Sequence, residues 1–174
     1  NQPRQSEREM VNGESHYVWG RRYRLRVHEV DAPPRVALRG VASMDVFVRP
    51  GSNRERREAV LLDWHRASLR SVITDLLVRW QPLLGVQVDG WGIKKMKTKW
   101  GSCNVQARRI WLNLELAKTP VQCLEYIVVH ELVHLIERHH NERFTALMDQ
   151  HLPDWPQRRQ LLNGSPLGHE QWSY

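Results

Sequence analysis

His130-Glu131-Leu132-Val133-His134 is the stretch of this chain with the most evident capacity for chemistry. On a helix, residues four apart share a face, so the imidazoles of His130 and His134 can reach one ion. Glu131 falls about 100° round from His130, where it can reach a water held by that ion but is poorly placed to ligate it. A zinc hydrolase needs this set: two imidazoles, a third ligand further along, an open position for water, and a carboxylate as general base. His139 and His140 follow, and the residues leave open which of them supplies the third nitrogen. Ile127-Val128-Val129 and Leu135-Ile136 make the segment apolar on most of its circumference. Two histidines and a glutamate buried there would cost several kcal/mol unless paired or coordinated, and a metal removes that cost.

The elements that must position these groups follow from the flanks. Thr119-Pro120-Val121-Gln122 reads as a capping box, predicting a helix from Pro120 to about Ile136. A polar stretch, 137–141, then turns the chain, and Asn141 is an N-cap for a second helix carrying Phe144, Leu147 and Met148, stopped before Pro153. The spacing from His130 to His140 equals that of metzincins, but Glu137 takes the place of their turn glycine, and Met148 belongs to a helix. A different zincin is expected.

Upstream lies Lys97-Thr98-Lys99-Trp100-Gly101-Ser102-Cys103, followed by Arg109 to Leu114, whose alternation predicts a half-buried strand. Gly101-Ser102 reads as a turn or bulge, and the two segments as a hairpin across Asn104 to Arg108. The run Lys99 through Cys103, Leu112-Asn113, Pro120, Tyr126 through Leu135, and His140 with Phe144 resembles the YgjP-like family of zincin hydrolases, relatives of SprT-like and minigluzincin proteases. The resemblance is strong over about 92–162. It implies His130, His134 and His140 as ligands of one Zn2+ per chain and Glu131 as the catalytic glutamate. Two departures, His139-His140-Asn141 and Phe144-Thr145, touch none of these. The resemblance implies a peptide or protein substrate, and a pyrophosphohydrolase activity on UTP, attributed to one family member, is the alternative.

The 174 residues, 41% hydrophobic, suit one compact domain. Residues 1–12 read as a disordered tail and 13–52 as β-rich, with strands at Tyr17–Trp19, Tyr23–Val27, Arg35–Leu38 and Asp45–Val48. Residues 53–174 read as the zincin-like core, opening with a long support helix from Asn53 to about Trp80 that Pro82 closes. The expected fold class is α+β: a zincin-like domain with a β-rich N-terminal part, a support helix, a hairpin and a metal-binding helix pair. No run of 18 apolar residues suggests a membrane span, and Cys103 and Cys123, without a secretory signal, suggest free thiols in a cytoplasmic protein. Cys103 reads as a small apolar residue at a tight turn. His16, His28, His65, His151 and His169 receive no role.

The net charge of +7 raises a nucleic-acid partner. Arg54, Arg56, Arg57, Arg66 and Arg70 read as the solvated face of the long helix, while Lys94, Lys95, Lys97 and Lys99 cluster beside the Trp100 motif. Trp91, Trp100 and Trp111 could stack on bases, although tryptophans more often fill a core. Lys97, Lys99 and Arg143 are candidate substrate contacts, and the strand Ile110–Leu114 a candidate edge for an extended substrate. The leading function is a zinc-dependent metallopeptidase. The nucleotide pyrophosphohydrolase comes second, and a DNA-associated module with a structural zinc third; three visible ligands argue against the last, since structural sites are closed by four.

Overall fold

The computed structural model describes residues 9–165. Strands β1 (Ser15–Val18), β2 (Arg21–Glu29), β3 (Arg35–Arg39) and β4 (Ser43–Val48) form one sheet in the order β1-β2-β4-β3. β1 pairs β2 and β3 pairs β4 antiparallel, while β2 and β4 run parallel. Alternation along these strands makes one face apolar: Val18, Tyr23, Leu25, Met44, Val46 and Val48 pack with Leu61 of the long helix in a first core. Met10, within the expected tail, is buried in the same core, whereas residues 1–8 and His169 lie outside the described residues.

Helix α1 (Arg54–Leu84) starts where expected, the Asn53 side chain accepting from the Arg56 amide. It does not close at Pro82. The ring removes one backbone bond, whose acceptor would have been the carbonyl of Val78, a residue 71% exposed, so loss of that bond is tolerated. Gly85, at φ 68°, ends the helix, its amide reaching the carbonyls of Gln81 and Pro82. Arg57 and Arg66 are not simply solvated: Arg57 bonds the Met10 carbonyl and Glu29, and Arg66 bonds the Ile93 carbonyl.

The second sheet has the order β5-β7-β6, from β5 (Gly90–Lys94), β6 (Gly101–Asn104) and β7 (Arg109–Asn113). The expected hairpin is β6–β7, but Gly101-Ser102 lies within a strand rather than at a turn. β5, not foreseen, pairs parallel to β7, which therefore sits in the centre and cannot offer an edge to a substrate; the edges belong to β5 and β6 instead. A 3-10 turn (Leu114–Lys118) leads to α2 (Val121–Val133), α3 (Glu142–His151) and α4 (Trp155–Asn163), the last also unforeseen. The capping box does not form. The Thr119 hydroxyl donates back to the Leu116 carbonyl, and α2 starts at Val121 with no side-chain cap. It also ends at Val133, the chain turning through tighter bonds such as Leu135 N to Leu132 O.

A second, larger core joins the far part of α1, this sheet and α2 to α4. Trp100 is fully buried in it and is no stacking platform. Trp80 and Arg158 both bond the Glu125 carboxylate, at 2.9 and 2.7 Å, tying α1 and α4 to α2. The fold class is α+β, and among the described residues no helix is long and apolar enough to cross a membrane.

Candidate metal centre

His130 lies near the end of α2 and His134 one turn on, at its C-cap, so both imidazoles leave the helix on one side. The turn that follows carries His140 back to them. Glu137, in the place of the metzincin glycine, fixes it: its carboxylate accepts from the His139 amide at 3.3 Å and the Asn141 side chain at 3.0 Å. Asn141 also caps α3, accepting from the Phe144 amide at 3.0 Å, as its sequence position suggested.

The His140 Nε2 lies 3.2 Å from that of His130 and 2.9 Å from that of His134. Three nitrogens each about 2.1 Å from a tetrahedral zinc would sit roughly 3.4 Å apart, so the set needs only a slight opening to hold an ion. His134 Nδ1 lies 3.2 Å from the Glu137 carbonyl, which selects the tautomer with Nδ1–H donating and leaves Nε2 as a lone pair. Burial, then the neighbouring His134 and His140, keep the His130 imidazole well below its ordinary pKa. Burial lowers His134 and His140 too. Neutral imidazole is the form that ligates, so the donor set fits a divalent metal. His139 is exposed and is not part of the cluster.

Phe144, buried at the start of α3, lies under this set, its ring centroid 4.9, 4.7 and 5.0 Å from those of His130, His134 and His140. Tyr126 meets His130 edge-on at 5.8 Å. One face of the cluster is therefore dry and packed, and the other opens on a cleft of about 650 Å³. Glu131, 2% exposed overall, reaches that cleft from α2, and β6 supplies the opposite wall with Gly101 to Asn104. Gly101 permits the close approach: a Cβ there would lie 3.0 Å from Ile127 Cγ2 and 3.1 Å from Glu131 Cγ.

Of the expected substrate contacts, the cleft receives Lys99 but not Lys97 or Arg143, and Arg143 pairs with Glu137 at 3.5 Å. Arg138, overlooked in the sequence, lines the cleft, as do Thr98 and Gln106. Asn113 shares the phase of Arg109 and Trp111 along its strand but not their partial exposure. It is fully buried and donates to the carbonyls of Met96 and Lys99 at 3.0 and 2.7 Å, fastening the loop that brings Lys99 to the cleft. Cys103 also lines it, but burial, then the Glu131 charge, push its thiol up to about 11, so it stays protonated at neutral pH.

The YgjP-like family model, described as a metallopeptidase domain, matches residues 1–165. Among solved structures, the metallopeptidase zymogen of Pyrococcus abyssi abylysin is similar at 21% identity over 52% of this chain and 89% of that chain, with a TM-score of 0.46. No curated protein matches significantly.

Proposed function

Because this chain belongs to the YgjP-like family of metallopeptidase domains, we propose that it is a zinc-dependent peptidase acting through His130, His134, His140 and Glu131. The observation that carries the reading is the convergence of three Nε2 atoms at the wall of an open cleft, with a buried carboxylate beside them. The three histidines would hold one Zn2+, which when bound acidifies water and polarises the scissile carbonyl.

Glu131 accepts the proton of the attacking water at its carboxylate and returns it to the departing amine nitrogen. The free edge of β6 lies in the cleft wall, so an extended peptide can add to it as a further strand, its carbonyl beside the histidines. Lys99 and Arg138 are the cations at hand for the oxyanion or for an acidic substrate group.

Those same two cations favour UTP hydrolysis as a second reading. The test is Glu131→Gln in zinc-loaded protein. Metal content should stay at one per chain while cleavage of an unstructured protein falls by a factor on the order of a hundred or more. Undiminished cleavage would remove Glu131 as base. Absence of any peptide cleavage, with Glu131-dependent release of pyrophosphate from UTP, would replace the peptidase reading by the nucleotide one.

A further inference from the structure

The first sheet turns one face to α1, and its other face carries five exposed arginines. Arg22, Arg24 and Arg26 alternate on β2 with the inward Tyr23, Leu25 and Val27, and Arg35 and Arg39 stand on β3. The register places Arg24 and Arg39 on either side of Ser43, and Arg26 and Ala37 on either side of Asp45. Contacts agree with the register: Asp45 bonds His28 at 2.9 Å and pairs with Arg39, and Phe47 stacks with His28 at 4.9 Å and has the Arg35 guanidinium over its ring at 3.8 Å. Asp45 is the one carboxylate at an outward position of these strands, and it is 3% exposed and already engaged.

We propose that this sheet face binds nucleic acid, a single strand laid along β2. Alternate residues of a strand are about 6.6 Å apart, so Arg22, Arg24 and Arg26 form a straight row of cations suited to successive phosphates of an extended strand. Half-buried Tyr17 stands across from Arg22, and it and the planar guanidiniums can stack on bases. An anionic membrane or an acidic protein fits the face less well. Membrane binding calls for apolar side chains that insert, and a protein interface for apolar anchors, whereas the outward Phe47 is 9% exposed.

The test is fluorescence anisotropy with a labelled, mixed-sequence DNA single strand of about 16 nucleotides, the upper site size for one sheet-based binding module. Arg24→Ser with Arg26→Ser should weaken binding at least tenfold in low salt. It should also flatten the slope of log K against log salt by roughly 1.4, the release expected for two lost phosphate contacts. Arg56→Ser with Arg70→Ser removes the same charge from α1 and should stay within twofold of the unaltered protein. Both variants should keep the melting temperature. Equal losses in the two double variants would overturn the proposal in favour of general basicity. Equally tight binding to phosphatidylglycerol vesicles or polyglutamate, lost through the same two arginines, would overturn the assignment to nucleic acid.

Discussion

His65 shows how much a single side chain can hold in reserve. It is 1% exposed on α1, and neither ring nitrogen has a hydrogen-bond partner among the described residues. Burial, followed by the charges of Lys118 and His16, lowers its pKa to about 3. An unfolded histidine takes its proton near 6.5, so below that pH the unfolded chain gains a proton that the folded one refuses. Stability should then fall with decreasing pH, by up to about 1.4 kcal/mol per unit from this group, until about pH 3. His65→Leu should flatten that part of the profile and raise the urea midpoint at pH 5, both read by circular dichroism. A profile as steep as the original's would reject the account. At the cleft, His130→Ala or His134→Ala should empty the metal site in elemental analysis, and His140→Ala should do so where His139→Ala does not. Cys103→Ser should leave kcat/KM within a few-fold, because a thiol held at about 11 is no nucleophile at neutral pH.

Among the elements, β6 and α2 are held at a separation that one glycine sets. Gly101→Ala must move Ile127, Glu131 or the Trp111 carbonyl, which would lie 3.2 Å from the new methyl. The expected cost is about 1–3 kcal/mol. Activity should fall further than stability does, since the glutamate is among the groups crowded by the methyl; unchanged kcat would show that the wall tolerates the shift. Asn113→Ala should free the loop before β6 and cost a similar amount, with zinc content preserved. The turn that gathers His130, His134 and His140 was legible in the sequence because the three histidines and the Asn141 cap are local, separated by a turn or two of helix. Most of what escaped was set by distant partners. β5 contains two glycines and gave no strand pattern, because Gly92 makes room for the Trp111 ring. Thr119 had the right neighbours for a capping box, yet its hydroxyl found the preceding 3-10 turn first. Asn113 looked like a solvent residue of its strand, when its amide answers two carbonyls 14 and 17 positions back.

At the scale of the whole molecule, an ion on His130, His134 and His140 would join the end of α2 to the turn before α3. Ligand binding to the folded state alone adds RT ln(1 + [L]/Kd), so free zinc at a hundred times its Kd should stabilise the protein by about 2.7 kcal/mol, and a chelator should reverse it. Calorimetric scans with and without zinc would measure this, and identical melting temperatures would count against a folded-state site. α1, with its 31 residues, is about 46 Å long and enters both cores, contributing Leu61 to one and Leu69 through Leu84 to the other. It therefore acts as the spine through which the arginine-bearing sheet and the histidine-bearing helices must fold and unfold together. Amide exchange should be slowest in the middle of that helix, and the two ends of the molecule should lose protection at the same denaturant concentration.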